Sequence, residues 1–267
     1  MKKVTAFVGT ASKKHTYKAV RQFLDNLQSL GEVESEIVVL SDYKIGICRG
    51  CKVCFMKGEE FCSLKDDRDV LIGKMTSSDG VVFACPNYSF QVSALMKLFL
   101  DRLGFVFHRP RFFGKAFTSI VAQGFYGGDK IVNYLDFVGK GLGFNTVKGT
   151  SFTALDPMEK SEKQKMERAL SRQSRRFYGL LEKPIYPVPS YFWLLAFRGG
   201  RMNVRLECAE SDRDYTYYKE KGWLESDYLY PVRLGVLKKV AGRLFDSMAT
   251  RAAKKRRVDV PNYPSRR

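Results

Sequence analysis

Short runs at residues 4–8, 37–40, 81–84 and 117–122 are mostly apolar rather than alternating, and 147–152 looks like a further strand. Strands buried on both faces read this way, whereas a half-solvated sheet alternates. Between the runs, apolar positions recur at helical spacing. Tyr17, Val20, Leu24 and Leu27 share one face; Val70, Ile72 and Met75 mark a shorter second helix; Leu95, Leu98, Phe99 and Leu103 mark a third; and Ile131, Leu135 and Val138 mark a fourth. This alternation predicts an α/β fold with a parallel sheet covered on both faces. Residues 159–181 predict a strongly charged fifth helix, and Pro184, Pro187 and Pro189 then break the pattern.

The break divides the chain into an α/β domain at 1–182 and a basic, mainly helical extension at 183–267. The extension holds the apolar run 191–197, a tyrosine-rich stretch at 215–223 and a helix with Val236, Val240, Leu244 and Met248 on one side. A stripe of that kind ordinarily faces a core, and the run 191–197 reads as an arm packed on its own domain or on a neighbouring subunit. The basic run 254–257 with Pro261 and Pro264 forms a tail.

With 45% hydrophobic residues the chain has a core's worth of apolar material, which excludes wholesale disorder. No stretch approaches the roughly 20 apolar residues of a spanning helix, and no signal peptide is evident. Six cysteines are too few for a disulfide scaffold and four crowd into residues 48–62, so the expected location is the reducing cytoplasm. The net charge is +18, with 21 Lys/Arg against 14 Asp/Glu in residues 1–155 and 25 against 14 in residues 156–267. Such a surface attracts nucleic acid, anionic lipid or acidic substrates without telling them apart. A basic module that attaches to an anionic membrane or to nucleic acid is therefore the alternative to an enzyme, with 198–205 and 238–257 as its contact regions.

Three loops fall where strands end. Gly9-Thr10-Ala11-Ser12-Lys13-Lys14-His15-Thr16 offers hydroxyls, a helix start and lysine charge to a phosphate, and the plain alternative is an N-cap made by Ser12 or Thr16. It matches neither GxGxxG nor GxxxxGK[ST]. Cys85-Pro86-Asn87-Tyr88-Ser89-Phe90-Gln91-Val92-Ser93-Ala94, followed by Lys97, Asp101 and Arg102, suits a planar ring, and Gln123-Gly124-Phe125-Tyr126-Gly127-Gly128 permits close backbone approach.

Together these loops resemble those of the flavodoxin-like NAD(P)H-dependent FMN reductases and iron–sulfur flavoproteins, over roughly residues 1–155. The resemblance implies a doubly wound sheet of five parallel strands in the order 2-1-3-4-5 and FMN, with Thr10, Ser12, Lys14 and Thr16 at its phosphate, Pro86, Asn87, Tyr88 and Ser93 bordering the ring, and Gly124 and Gly127 near the pyrimidine edge. It also implies hydride from NAD(P)H as co-substrate, a small-molecule or protein electron acceptor, and a homo-oligomer. Two departures stand out: the helix starts at His15-Thr16 in place of Gly-Asn-Thr, and Cys85 replaces serine.

Cys48, Cys51, Cys54 and Cys62 give C-x2-C-x2-C-x7-C. Four thiolates at such gaps suit a [4Fe–4S] cluster or structural zinc, and a redox-active dithiol or buried thiols are the other readings. The family resemblance implies the [4Fe–4S] cluster. Cys85 and Cys208 have no partner at metal spacing and read as small hydrophobes, and His15 reads as a solvated residue.

Overall fold

The computed structural model describes residues 1–183 and 185–259, except for the side chains of 254 and 256–259. Pro184, Pro261, Pro264 and most side chains of the basic run 254–257 lie outside the described residues. The strands are β1 Lys2–Val8, β2 Val33–Val39, β3 Gly80–Tyr88, β4 Gln91–Val92, β5 Ala116–Gln123, β6 Asn145–Thr146 and β7 Thr150–Thr153. The α-helices are α1 His15–Gln28, α2 Val53–Met56, α3 Arg68–Ser77, α4 Ala94–Arg102, α5 Gly104–His108, α6 Gly128–Leu142, α7 Lys160–Glu182, α8 Tyr191–Glu207, α9 Arg213–Glu220 and α10 Val236–Asp259. Two compact units result. The first is Met1–Arg49, Leu64–Gly104 and Arg111–Ile185; the second is Gly50–Ser63, Phe105–Pro110 and the chain from Tyr186 onward.

The first unit is a sheet in the order β2-β1-β3-β5-β6, with β7 also on β5 and β4 on β3. Its core order is the expected doubly wound one, and the fifth position is shared by the two short pieces β6 and β7, both parallel to β5. Val8 lies opposite Val39 and Ala84, and Ala84 opposite Ile120, so the carboxyl ends of β1, β2, β3 and β5 finish on one edge. Val4, Ala6, Val8, Val82 and Ala84 face α1 and α7, where Phe23, Leu27, Phe177 and Leu181 complete a buried cluster. Alternate residues point the other way: Phe7 and Phe83 meet Phe99 of α4 at 5.3 and 5.7 Å between ring centroids. Each such side chain, fully buried, contributes about 1.5–3 kcal/mol. Burial on both faces is the reason the strands read as unbroken apolar runs.

Some boundaries differ from the sequence reading. Helix α3 turns Leu71, Ile72 and Met75 inward while Val70 stands exposed. Leu40 leaves β2 for a short 3₁₀ turn, and residues 86–88 extend β3 rather than forming a loop. The charged helix α7 opens with a capping box between Glu159 and Glu162 and buries Gln173, whose Nε2 donates to Thr118 Oγ1 at 2.7 Å and to the Ser119 carbonyl at 2.9 Å.

In the second unit, the run 191–197 is the first half of α8. Leu194 and Phe197 are buried, with the Phe197 ring edge-on to Trp223 and Tyr228 at 6.3 and 5.6 Å, so that side of the run packs within its own unit, while Tyr191 and Phe192 stand exposed. Arg198 and Arg201, both nearly inaccessible, reach Asp246 of α10 at 2.5 Å each. A Cβ at the buried Gly242 would strike the Arg198 guanidinium, so Gly242 and Asp246 define the face that α10 turns to α8. The stripe expected to be core, Val236, Val240, Leu244 and Met248, lies on the opposite side and is 48% to 77% exposed, and Leu237 is exposed with it. Among the described residues no helix is long and apolar enough to cross a membrane.

Candidate functional site

Gly9 ends β1 and begins the first loop. Its N–H donates to the Ala84 carbonyl at 2.7 Å, and its own carbonyl accepts from Ser93 Oγ. A Cβ there would sit 2.8 Å from Met96 Cβ and 2.9 Å from Ser93 Oγ, so only glycine lets β1 end this close to the start of α4. Thr10 is buried, and its Oγ1 accepts from the Ser12 N–H at 3.2 Å; Ser12, Lys13 and Lys14 are exposed. Helix α1 then starts at His15 with Lys14 in the cap position, no side-chain cap and no acidic residue in its first turn. Neither Ser12 nor Thr16 caps it, which overturns the plain N-cap alternative. The N–H groups of the first turn, at the positive end of the helix dipole, remain available to an anion. Thr16 is buried in that turn, and Lys14 Nζ lies 3.9 Å from Asp156 with both side chains solvated.

The second loop is a hairpin. Asn87 pairs with Val92 and Tyr88 with Gln91, leaving Ser89 (φ 50°) and Phe90 (φ 62°) as a two-residue turn with both residues left-handed. That backbone costs a non-glycine residue about 1–2 kcal/mol, so strain is held where the ring was expected. Asn87 Nδ2 donates to the Tyr126 carbonyl at 2.9 Å, tying the hairpin to the third loop, while its Oδ1 is buried without a hydrogen-bond partner among the described residues. The Phe90 and Tyr126 rings lie 5.2 Å apart, and Tyr88, Phe90, Phe125 and Tyr126 are all exposed.

Pro86 is buried in β3 opposite Ala122, and Ser93 caps α4, accepting from Met96 N–H at 3.3 Å. Gly127 (φ 91°) caps α6, and the Gly128 N–H donates to Gln123 Oε1 at 2.6 Å. Gly124 stands differently: a Cβ there would meet open space. Thr10, Ser12, Lys14, Thr16, Pro86, Asn87, Tyr88, Ser93, Gly124 and Gly127 are thus gathered on the carboxyl edge of β1, β3 and β5 in the first unit. An uncapped helix start, an orphaned buried amide oxygen and an unfilled glycine position fit a phosphate joined to a planar ring with N–H donors. Cys85 lies beneath them, and burial pushes its thiol up to about 12. That suits packing rather than thiolate chemistry.

The hydrogen bonds at the base of the cysteine segment were not visible in the sequence. Lys44 N–H donates to Asp67 Oδ2 at 2.7 Å, Asp67 N–H returns to the Lys44 carbonyl at 2.9 Å, and Gly46 N–H donates to Asp66 Oδ2 at 2.8 Å. Arg102, named earlier only as part of the α4 motif, grips Asp66 with Nε and Nη2 at 3.1 and 3.0 Å, both side chains 4% exposed. Burial alone would raise the Asp66 carboxyl, but the Arg102 fork and the N–H groups of Gly46 and Arg68 hold it below its ordinary value. Lys97 pairs instead with Asp101 on the surface.

Cys48 belongs to the first unit and Cys51, Cys54 and Cys62 to the second. Cys48 and Cys51 are exposed, Cys54 and Cys62 half-buried. The donor types suit an iron–sulfur cluster, yet among the described residues no three Cys, His, Asp or Glu side chains are gathered so as to hold a metal ion. The second unit holds its part of the segment through Arg109. This fully buried guanidinium donates to the Cys54 carbonyl at 2.8 Å and to Glu59 at 2.7 Å, and lies 3.4 Å from Asp214. His108 bonds Asp214 through Nδ1 at 2.8 Å and stacks on Phe55 at 4.0 Å.

Residues 2–155 match the family described as NADPH-dependent FMN reductase. An iron-sulfur flavoprotein of Archaeoglobus fulgidus is 36% identical over 141 residues, 51% of this chain and 63% of that protein; a second from the same organism is 33% identical over 46% and 61%. These matches span less than two thirds of the relatives' own length. An iron-sulfur flavoprotein of Methanocaldococcus jannaschii is 27% identical over 68% of this chain and 98% of its own. Among solved structures, a flavone reductase superposes with TM-score 0.53 at 15% identity, over 69% of this chain and 66% of that one. RosB, with a bound flavin-phosphate intermediate, superposes with TM-score 0.53 at 14% identity, over 88% and 92%. These two likenesses bear on the fold. With the flavodoxin-like sheet and the match over residues 2–155 together, the chain belongs to the NADPH-dependent FMN reductase family.

Proposed function

We propose that this chain is a flavin-dependent oxidoreductase that binds FMN at the β1, β3 and β5 loops and passes electrons from NAD(P)H to a small-molecule or protein acceptor. The observation that carries the reading is the uncapped start of α1 beside a hairpin whose Asn87 keeps a buried oxygen without a partner. FMN, once bound, supplies the redox chemistry by accepting a hydride from the nicotinamide and handing electrons on. The chain's own part is to bind and orient. The first-turn N–H groups of α1, with Thr10, Ser12, Lys14 and Thr16, hold the phosphate. Asn87 supplies an acceptor to the ring, bordered by Pro86, Tyr88 and Ser93, and Gly124 and Gly127 stand at its pyrimidine edge, where Gly124 leaves open space. No side-chain nucleophile or general acid is assigned.

Two finer points belong to the same reading. Cys48, Cys51, Cys54 and Cys62 bind one [4Fe–4S] cluster, supported by their spacing and by the likeness to iron-sulfur flavoproteins. The protein works as a cytoplasmic homo-oligomer, in keeping with the exposed aromatics Tyr88, Phe125 and Tyr126 around the site.

Chromatography of the flavin released from anaerobically purified protein, with iron and acid-labile sulfide counted on the same sample, tests the cofactors. FMN is expected, and FAD or no flavin after reconstitution overturns the reading. Cys51→Ser is expected to lose iron and keep flavin; wild-type protein with flavin but neither iron nor sulfide after reconstitution removes the cluster alone. Oxidation of NADH and NADPH, followed at 340 nm as on the order of one turnover per second or faster, tests the activity.

A further inference from the structure

We infer that α10 is a membrane-surface helix that lays its exposed apolar stripe on anionic lipid. The stripe is Leu237, Val240, Leu244 and Met248, spaced along one side of the helix and turned away from the face that Gly242 and Asp246 present to α8. Exposed Lys239, Arg243 and Arg251 lie on the same helix. The helix as a whole carries eight Lys/Arg against two Asp, and one of those two, Asp246, is already engaged by Arg198 and Arg201. At the joint where α10 begins, Lys238 Nζ donates to the Pro189 carbonyl at 2.6 Å and lies 5.5 Å from the Tyr191 ring. The exposed Tyr191 ring therefore lies beside the start of α10, as tyrosine rings do at a headgroup boundary.

Charge selects the occupant. A second copy of the same helix would set like charge against like charge across the contact. Nucleic acid would match the lysines and arginines but leave the leucines and Met248 in water. An anionic lipid surface answers both features, the apolar side chains entering the acyl boundary and the cations meeting headgroups. No spanning segment is needed, and α10 is too charged to be one.

The test is sedimentation of the full-length chain with vesicles of phosphatidylcholine alone or mixed with phosphatidylglycerol. Binding is expected only with phosphatidylglycerol, fading as salt rises. Leu244→Asp with Met248→Asp should weaken it about tenfold or more, as should Lys239→Glu with Arg243→Glu. These side chains are exposed, so unchanged thermal unfolding confirms that the variants fold. Failure of the wild-type protein to sediment, or equal sedimentation of the Asp variant, overturns the proposal. So does a lipid-free dimer, seen by light scattering, that the Asp variant disperses while vesicles are ignored, or RNA binding that the Asp variant keeps with no vesicle binding. Flavin content plays no part in any of these readings, so the proposal stands or falls apart from the FMN assignment.

Discussion

Ser93 Oγ donates to the carbonyl of Gly9, 84 residues before it, and accepts the N–H of Met96 at 3.3 Å. One hydroxyl therefore closes the end of β1 and opens α4, at the point where the sheet changes direction and a ligand is expected. Ser93→Ala removes both bonds and should cost about 1–2 kcal/mol in urea unfolding, with weaker FMN retention. Unaltered unfolding would show that the hydroxyl only decorates the turn.

Gly9→Ala tests the same junction from the other side. The new methyl would press on Met96 Cβ and Ser93 Oγ at under 3 Å, so β1 or α4 has to shift. Overpacking of this kind costs about 1–3 kcal/mol, and the phosphate loop should move with it. The expected result is a lower melting temperature and a weaker fluorescence-titrated affinity for FMN; an affinity equal to wild type would place the phosphate elsewhere.

Ser89 and Phe90 hold left-handed backbone without being glycine. Ser89→Gly relieves one of these positions and should stabilise the protein by roughly 0.5–1 kcal/mol, a rise of a few degrees in Tm, while leaving flavin content unchanged. A fall in Tm would mean that the Ser89 side chain, and not the turn, stabilises the hairpin.

Asp66 is the group through which acid should loosen the base of the cysteine segment. Its folded pKa lies below the ordinary carboxylate value despite burial, because the Arg102 fork and two backbone N–H groups favour the charged form. The stabilisation is therefore present above the unfolded carboxylate value and is lost as pH falls through the depressed folded value. Asp66→Asn leaves Arg102 buried without its counter-charge and should cost about 3 kcal/mol near neutrality. The gap between wild type and variant should close in acid. A gap that stays constant across the acid range would show that the ion pair does not set it.

Much of the first unit could be read from the chain itself. Strands buried on both faces are apolar at most positions, with a few small hydroxyls such as Thr5, Thr118 and Ser119, so β1, β3 and β5 announced a covered parallel sheet, and parallel strands put their following loops on one edge whatever the side chains do. The hydroxyl loop, the Pro86-Asn87 segment and the glycine loop were therefore placed together before any coordinate. The expected stripe on α3 slipped by one residue because i, i+1 and i+4 serve a helix face as well as i and i+3 do. Nothing in the spacing of Ser89 and Phe90, neither of them a usual residue for such a turn, announced a left-handed hairpin; pairing of Asn87 with Val92 imposes it.

What tertiary structure alone decided are the partners distant in sequence. Asp66 with Arg102, Asn87 with Tyr126 and Arg109 with the Cys54 carbonyl are set by how the chain returns on itself, and side-chain type cannot reveal them. The same holds for α10. Its period establishes that a stripe exists, but an apolar stripe is equally at home against a core or a foreign surface, and only the docking of Gly242 and Asp246 on α8 turned Leu244 and Met248 outward. Sequence determines which side chains share a face, because helix and strand geometry is local; which face is buried depends on competing contacts from the rest of the chain, and those exist only once it has folded.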